Sequence, residues 1–395
     1  MNKQTIRDID VDNKRVLVRV DFNVPLDKAT RQILDDTRIR AALPTINYLR
    51  QRNARTVLVS HLGRPDGKVV ESARLAPVAV RLGELLGAPV PCATDVVGPS
   101  AQATVAAIQP GAVAMLENVR FEPGEENDDP ALAKQLAAFA DVYVNDAFGT
   151  AHRAHASTAG VAACLPAVAG FLMEKEIDYL GRVVTDPQPP VAAIIGGAKI
   201  SSKINVLQHL LSKVDVLLIG GGMASTFLEA QGLAVGASLV EDDQLDTARS
   251  VLAAARDRGV TLGLPVDAVI GDSFAADAQV RTVDVRAVPD AWLILDVGPA
   301  TVADYESKLA AAKTVVWNGP LGVAEWPAFA RGSHALARFL AALPATVVIG
   351  GGETVALVHQ LGIADRFAHV STGGGASLEF LEGRILPGVA ALRDK

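Results

Sequence analysis

Cysteine is scarce in this sequence of 395 residues, in which only Cys92 and Cys164 occur. Two cysteines without CxxC spacing cannot form a disulfide framework or a thiolate metal site, so the composition fits a reducing compartment. Long apolar runs are also missing, because the most apolar stretch, residues 161–173, is short and contains Pro166. The start MNKQTIRDID lacks the apolar core of a signal peptide. We therefore expect a cytoplasmic protein with no membrane partner.

Positive charge is in deficit as well, with 37 Lys and Arg against 44 Asp and Glu and a formal net charge of -7. This balance argues against nucleic acid as a partner, because nucleic acid selects basic surfaces. The glycine-rich turns contain neither GxxxxGK[ST] nor GxGxxG, and the chain has no GxSxG elbow. His152 and His155, at a spacing of three without an HExxH pattern, favour structural or hydrogen-bonding histidines over a metal site.

What the chain does contain is an alternation of strand and helix patterns. A length of 395 residues favours two domains, and half of the residues are apolar, which is enough for two cores. In the first half, strands are predicted at residues 16–20, 56–60, 112–116 and 142–145, with helices after Asp35 or Asp36, at 75–86 and after Asp129-Pro130. In the second half, strands are predicted at 191–195, 215–219, 314–317 and 346–349, with helices at 201–211, 244–258 and 331–340.

The alternation implies two α/β domains, each a doubly wound parallel sheet of the Rossmann-like kind. A charged amphipathic helix at 174–185 precedes Asp-Pro-Gln-Pro-Pro at 186–190, which cannot continue a helix. We therefore predict an N-terminal domain at 1–173, an interdomain helix and linker at 174–190, and a C-terminal domain at 191–379. We expect the two domains to face each other across a hinged cleft.

Glycines end four apolar runs of the second half: IIGGAK (194–199), LLIGGGMAS (217–225), VVIGGGET (347–354) and VSTGGGAS (370–377). One such turn could simply allow a tight connection, but four of them suit phosphates bound at strand ends and helix N-termini. Lys199 and Lys203 follow the first turn at a spacing of four, which on a helix places both ammonium groups on one face. One could serve the nucleotide and the other the group being transferred, although a solvated lysine pair has the same spacing.

The strand ends of the first half carry charged and polar groups instead: RVDFN (19–23), SHLGR (60–64), ENVR (117–120) and GTAHRAH (149–155). The planar guanidinium of arginine binds phosphate and carboxylate oxygens in bidentate fashion. Any one arginine could be an ordinary surface residue. Their shared position after strands predicts a site for an oxyanion-rich substrate.

These segments resemble the phosphoglycerate kinase family from end to end and in family order. The strings that carry the resemblance are VRVDFNVPLD (18–27), SHLGRP (60–65), ENVRF (117–121), VNDAFGTAHRAHAS (144–157), IGGAKISSKI (195–204), GGGMASTF (220–227), WNGPLGVAEW (317–326), IGGGET (349–354) and STGGGASLEFLEGRILPG (371–388). The resemblance implies that the N-terminal domain binds 3-phosphoglycerate or 1,3-bisphosphoglycerate and that the C-terminal domain binds MgADP or MgATP. It also implies that residues after about 380 pack back on the N-terminal domain.

The site residues follow motif by motif from this resemblance. The acid substrate is expected to bind Asp21, Phe22, Asn23, Arg38, His61, Leu62, Gly63, Arg64, Arg120 and Arg153. The nucleotide is expected to bind Lys203, Gly220, Gly221, Gly222, Asn318, Glu325, Gly351, Gly352, Glu353 and Thr354. The catalytic candidates are Arg38, Lys199, Gly374 and Gly375, and Glu353 is the expected ligand of Mg²⁺.

Direct in-line phosphoryl transfer with closure of the two domains is the mechanism that the resemblance implies, in a monomeric enzyme of glycolysis. A carboxylate acceptor has no proton to lose, which explains the lack of an obvious general base. Glu353 departs from the aspartate usual in the family, and Ser225 and Ala324 replace larger side chains, so altered nucleotide or metal affinity is expected. The alternative is a catalytically silent nucleotide-binding protein on the same scaffold.

Overall fold

The computed structural model describes residues 2–395 and divides the chain into two compact units. The first unit contains the chain up to Asp178 together with Ile385–Lys395, and the second is Tyr179–Arg384. The boundary falls inside one helix, Phe171–Thr185. Within residues 2–395, no helix is both long enough and apolar enough to cross a bilayer.

The first unit is built on a parallel sheet of five strands with the order β3-β2-β1-β4-β5. The strands are β1 (Arg15–Arg19), β2 (Arg55–Val59), β3 (Val113–Met115), β4 (Val142–Asn145) and β5 (Ala167–Ala169). Its helices are α1 (Thr37–Gln51), α2 (Ala76–Leu86), α3 (Pro99–Ala106), α4 (Pro130–Ala137) and α5 (Phe171–Thr185). The strand order reverses between β1 and β4, and in open parallel sheets ligands bind beyond the carboxyl ends of the strands at such a point.

Local sequence explains where these helices begin and end. Pro130 occupies the first turn of α4, and the Asp129 carboxylate accepts a hydrogen bond from the backbone N–H of Ala131 at 2.8 Å. Helix α2 ends at Gly87, as the sequence predicted. Helix α1 buries Ile39, Ile46 and neighbouring apolar residues against the sheet, and this face anchors the helix that carries Arg38.

The second unit is built on a parallel sheet of six strands with the order β14-β13-β12-β6-β7-β8. In chain order its secondary-structure elements are β6 (Val191–Ile195), α6 (Ile204–Leu210), β7 (Val216–Ile219), α7 (Met223–Ala230), α8 (Leu245–Asp257), β8 (Thr261–Gly263), β9 (Asp267–Gly271), β10 (Val280–Asp284), β11 (Leu293–Val297), α9 (Pro299–Leu309), β12 (Thr314–Asn318), α10 (Arg331–Ala342), β13 (Thr346–Gly350), α11 (Gly352–Gln360), β14 (His369–Val370) and α12 (Gly375–Leu381). The order reverses between β6 and β12. The final helix, α13 (Pro387–Ala390), belongs to the first unit.

The structure departs from the sequence-based prediction in two places in the second unit. Strands β9, β10 and β11 form a separate antiparallel sheet that was not predicted. Helix α6 begins at Ile204, so Ser201, Ser202 and Lys203 form a turn and not the first turn of a helix. The Ser202 hydroxyl donates to the Lys199 carbonyl, a local bond that competes with helix formation, and the Ser201 hydroxyl donates to Glu241, 40 residues further along the chain.

Candidate functional site

The carboxyl end of β1 begins the site of the first unit. Asp21 lies two residues beyond β1, and its carboxylate accepts a hydrogen bond from Arg38 in the first turn of α1 at 2.9 Å. Asn23 accepts a hydrogen bond from the backbone N–H of Gly63, at 2.9 Å, and so joins the loops that follow β1 and β2. The side chain of Arg38 keeps 37% of its exposure, so its guanidinium is held by Asp21 while it still faces solvent.

The loop after β2 is fixed by the loop after β3. Asn118 is buried and bonds both the N–H and the carbonyl of Leu62. Arg120 donates to the Gly63 carbonyl at 2.7 Å, and its Nε lies 3.0 Å from Glu126. Burial lowers the pKa of the Arg120 guanidinium, and the charges of Arg153 and Arg19 lower it further. The arginines therefore lie close enough to act on one another electrostatically.

His61 lies among the same cations. It is buried, and its pKa is held well below the ordinary value, first by burial and then by the charges of Arg19, Arg120 and Arg38. A carboxylate oxygen of Asp21 lies 3.9 Å from Nδ1 of His61. A neutral ring surrounded by guanidinium groups suits a pocket whose charge is balanced by an anion.

The remaining residues predicted for the acid substrate differ in exposure. The side chains of Phe22 and Leu62 belong to the hydrophobic core, so only their backbone groups can reach a ligand. Arg64 is exposed, whereas Arg153 is half-buried and donates to His152 at 3.1 Å. His155 is buried 3.6 Å from Glu125, inside the first unit.

In the second unit the glycine-rich turns pack backbone against backbone at the carboxyl ends of β6, β7 and β12. Gly221 has φ +71°, and a Cβ there would lie 2.6 Å from the backbone of Gly197. Gly196 and Gly319 approach each other as closely, since a Cβ on Gly319 would lie 2.3 Å from the Gly196 carbonyl oxygen. Side chains are sterically excluded here, so the turns present main-chain atoms.

The side chains of Lys203 and Asn318 are hydrogen-bonded to each other at the switch point between β6 and β12. The Lys203 ammonium donates to Asn318 Oδ1 at 2.6 Å. Burial lowers the pKa of Lys203, while the carboxylates of Glu353 and Glu382 act in the opposite direction. Thr354, in the first turn of α11, accepts a hydrogen bond from the Gly319 N–H at 2.8 Å. The turns after β6, β12 and β13 are thus joined around the half-buried Lys203.

Lys199 does not share a helical face with Lys203, contrary to the sequence-based expectation. Both residues precede α6, and Lys199 is exposed whereas Lys203 is half-buried. Spacing of four has this meaning only inside a helix, and the chain turns here instead. The two lysines are therefore separated in environment, with Lys203 fixed by Asn318 and Lys199 facing solvent.

The other predicted nucleotide and catalytic residues lie at the same edge of the six-stranded sheet. Gly352 begins α11, and Gly374 directly precedes α12; a Cβ at either position would meet nothing within 4 Å, so both border open space. Glu353 is exposed in the first turn of α11. Glu325 is exposed on the loop after β12.

The donor set near Glu353 fits a cation held mainly by phosphate oxygens. Among residues 2–395, no group of three or more His, Cys, Asp and Glu side chains could by itself enclose a metal ion. Mg²⁺ is commonly held by one or two carboxylates together with substrate phosphates and water. An exposed carboxylate beside the open space at Gly352 is compatible with that arrangement.

Comparisons with known proteins identify the family of this chain. A family model described as phosphoglycerate kinase matches residues 6–384. The chain belongs to the phosphoglycerate kinase family. It is 57% identical to a phosphoglycerate kinase of Moorella thermoacetica over 395 residues and 59% identical to one of Synechococcus elongatus over 401, with 100% of both chains covered in each case. A solved phosphoglycerate kinase of Coxiella burnetii superposes with a TM-score of 0.90 at 44% identity, and one of Pyrococcus horikoshii with 0.84 at 32%, covering 98% of each chain.

Membership of this family confirms the predicted fold class of parallel-sheet α/β domains and the predicted activity. The protein is a glycolytic kinase, a phosphotransferase whose acceptor is a carboxyl group, and a nucleotide is its second substrate. Nothing in the comparisons favours a catalytically silent alternative.

A buried polar network beneath the first site was missed by the sequence-based site prediction. It contains Arg19, Ser157, Glu125 and His61, of which only His61 was named as a site residue. The available signal was Arg19 itself, a charged residue at the end of the apolar strand RVLVR. Arginine is rarely buried without partners, so its position predicts a compensating network even though sequence does not identify the partners.

Proposed function

We propose that the first unit binds the phosphoglycerate substrate through Asp21, Asn23, Arg38, His61, Arg64, Arg120 and Arg153 and through the backbone of Phe22, Leu62 and Gly63. The observation that carries this proposal is the clustering of Arg38, Arg120 and Arg19 around a neutral His61 at the carboxyl end of β1. An anionic substrate would offset the mutual repulsion of these cations. Family membership supports phosphoglycerate as that anion.

The nucleotide site is proposed for the second unit, on Lys203, Asn318, Glu325 and Thr354 and on the glycines at 220–222 and 351–352. Main-chain N–H groups at glycine turns suit phosphate oxygens, and Lys203 adds a point charge beside them. Glu353 would hold Mg²⁺ together with the phosphates, and the cation when bound would offset part of their charge.

Transfer itself needs alignment and stabilisation of charge more than proton transfer. The acceptor carboxylate of 3-phosphoglycerate is already ionised, so no general base is required. Arg38 and Lys199 are the proposed groups that stabilise the equatorial oxygens of the phosphoryl group in flight. The backbone N–H groups at Gly374 and Gly375, where α12 begins, would assist.

Since the two substrates are assigned to different units, in-line transfer requires the units to close when both substrates are bound. Closure would also exclude water from the acyl phosphate. Small-angle scattering is expected to give a smaller radius of gyration with both substrates than with either one. An unchanged radius with both substrates at saturation would contradict closure.

Two variants test the assignment of one substrate to each unit, because each is expected to weaken the binding of a different substrate. In an assay with 3-phosphoglycerate, ATP and Mg²⁺, Arg120→Gln is expected to raise KM for 3-phosphoglycerate about 10- to 100-fold, because a charge-assisted hydrogen bond is lost. Lys203→Gln is expected to raise KM for ATP by a similar factor. Each variant leaves the other KM within about threefold. If Arg120→Gln raised KM for ATP and Lys203→Gln raised KM for 3-phosphoglycerate, the assignment would be wrong.

Composition supports two further parts of the proposal. The net charge of -7 suits a cytoplasmic enzyme without a nucleic-acid partner, and each unit carries its own complete sheet and core. We therefore propose a monomer. Light scattering on the eluted protein is expected to give a mass near 41.2 kDa, and a dimer mass would contradict this.

A further inference from the structure

Arg19 is a buried arginine at the end of β1, with 1% of its surface exposed. Its Nε donates to Ser157 Oγ at 2.8 Å, and one terminal nitrogen donates to the carbonyl of Val20. The other terminal nitrogen lies 3.2 Å from Nδ1 of His61. Arg19 therefore contacts the ring that the proposed function assigns to substrate binding, from the side that faces the protein interior.

The direction of every hydrogen bond in this network is fixed by chemistry. A guanidinium has donors only, so Ser157 Oγ must accept from Arg19 and send its own proton elsewhere. That proton goes to Glu125, whose Oε1 lies 2.6 Å from Ser157 Oγ. Burial alone would raise the pKa of Glu125, but His155, Arg19 and Ser157 bring it below its ordinary value, so Glu125 is an ionised acceptor.

The same rule decides the state of His61. Because Arg19 cannot accept a hydrogen bond, Nδ1 of His61 must be the acceptor, and the single proton of the neutral ring must then lie on Nε2. A second proton on Nδ1 would point at the guanidinium. The other charged or titratable groups near the ring are Asp21 at 3.9 Å, Arg38, Arg120 and His155, and the three besides Asp21 also disfavour a cationic ring.

We propose that Arg19 is a positioning residue: it fixes the proton of the neutral His61 ring on Nε2, so that His61 always presents one hydrogen-bond donor to an oxygen of the anionic substrate. The substrate contact rests on the proposed function, whereas the tautomer rests on the contact between Arg19 and Nδ1 of His61. Arg19 thus acts on the substrate through His61, and the buried chain from Glu125 through Ser157 keeps Arg19 in place.

The state of His61 is measurable on the wild-type protein without any substitution in the network. Long-range ¹H–¹⁵N correlation spectra of histidine side chains distinguish the two neutral tautomers and the cation, and the His61→Gln variant identifies the His61 signals among the 7 histidines. The expected result is the Nε2–H tautomer throughout pH 5.5 to 8, without titration. A ring protonated on Nδ1, or one that titrates within this range, would overturn the proposal.

Variants at Arg19 test whether this residue is the cause. In Arg19→Met the donor is gone, and His61 is expected to titrate closer to the ordinary histidine pKa and to populate both tautomers. Lysine also has donors only, so Arg19→Lys is expected to restore the Nε2–H tautomer. An Arg19→Met protein that folds, as judged by circular dichroism, and keeps a neutral Nε2–H ring would show that Arg19 does not set the state.

The substrate contact is tested by a matched pair at His61. The side-chain amide of glutamine reaches approximately the position of Nε2, and that of asparagine approximately the position of Nδ1. We expect His61→Asn to raise KM for 3-phosphoglycerate about 10- to 100-fold and His61→Gln to raise it no more than about fivefold, with KM for ATP unchanged in both. Equal effects of the two variants would refute donation from Nε2. If KM for 3-phosphoglycerate stayed at the wild-type level in both variants, His61 would not bind the substrate. The measurement of the His61 tautomer would not be affected by that result.

Discussion

At the scale of single residues, the cations of the two sites differ in how firmly the protein holds them. Arg19 and Arg120 are buried with several backbone or side-chain partners. The side chain of Arg38 is partly exposed, and Lys199 is exposed. Buried cations are suited to a fixed recognition geometry. Arg38 and Lys199 were predicted as catalytic residues from the family resemblance, and we propose that substrate binding and closure of the units bring them into a fixed position around the phosphoryl group.

Arg38→Ala is expected to lower kcat about 100- to 1000-fold with a smaller change in KM, because its guanidinium is proposed to act on the phosphoryl group in flight. Arg40, two positions further along α1, pairs with Asp36 at 2.8 Å on the exposed surface. Arg40→Ala is therefore the control and is expected to keep kcat within about twofold. Steady-state kinetics with 3-phosphoglycerate and MgATP measure both constants. A raised KM with an unchanged kcat would refute the proposed role of Arg38 in the transition state.

Glu353→Asp is expected to shift the Mg²⁺ concentration at half-maximal activity by at least about threefold, since Mg²⁺ tolerates little change in ligand distance. The carboxylate is exposed in the first turn of α11, so the exchange has little packing cost. Glu306→Asp on α9 is the control for the same chemical change elsewhere in the unit. A Mg²⁺ titration that overlays the wild-type curve would show that residue 353 does not bind the cation.

At the scale of elements, the glycine turns of the proposed nucleotide site pack tightly against one another. Gly221 and Gly259 have nearly the same φ, +71° and +70°, but a Cβ at Gly221 would collide with Gly197 whereas one at Gly259 would meet nothing within 4 Å. Gly259→Ala is expected to cost about 1–2 kcal/mol of the free energy of unfolding, from backbone strain alone. Gly221→Ala is expected to cost about 2 kcal/mol more and to weaken ATP binding. Urea unfolding measures the free energy of unfolding, and calorimetry measures ATP binding. Equal effects of the two substitutions would mean that the close approach of Gly221 to Gly197 is unimportant.

The strength of the apolar signal determined which elements could be predicted from the sequence. Strands β1, β2, β4, β6, β12 and β13 are buried on both faces, and their continuous apolar runs indicated the parallel sheets. Strand β10 is exposed along most of its length, and its sequence VRTVD shows no such run. The start of α6 was placed too early because the Ser202 hydroxyl bonds the nearby Lys199 carbonyl and the Ser201 hydroxyl bonds the distant Glu241, and periodicity reveals neither bond.

Most of the predicted site residues stand in motifs that follow strands. His61, Arg120 and Lys203 occupy such positions and Arg38 lies in the first turn of α1, and the structure joins Asp21 to Arg38 and Lys203 to Asn318. The network of Arg19, Ser157 and Glu125 was not predictable, because its members lie far apart in the chain and meet only when β1 and the segment around residue 157 pack together. Long-range partners of a buried charge require the tertiary structure.

At the scale of the whole molecule, both units share one sheet design, in which the first strand lies beside the switch point. Each unit also buries a carboxyl group that burial pushes toward neutrality. Burial raises the pKa of Asp146 in the first unit to about 6 and that of Asp296 in the second to about 7, although backbone N–H groups oppose the shift in both. Such groups make the folded protein less stable when they ionise.

Asp146→Asn tests this linkage. The folded state holds the Asp146 proton more tightly than the unfolded chain, so this group lowers stability as pH rises from 3.8 to about 6 and has no further effect above that range. The variant is therefore expected to be more stable than the wild type by about 3 kcal/mol at pH 7.5 but by only about 1 kcal/mol at pH 4.5, where the folded carboxyl is still protonated. Urea unfolding at the two pH values measures the difference. A difference that does not change with pH would contradict the raised pKa.

The central claim is that charges from both units stabilise the phosphoryl group during transfer, and kcat of Lys199→Ala is its most direct test. The assay contains 3-phosphoglycerate, ATP and Mg²⁺ at saturation, and Lys213→Ala, another exposed lysine of the second unit, is the control. The account predicts that kcat of Lys199→Ala falls about 100-fold or more while KM for ATP changes no more than about threefold, and that Lys213→Ala behaves as the wild type. A normal kcat with a raised KM would contradict it, because Lys199 would then bind the nucleotide equally before and during transfer.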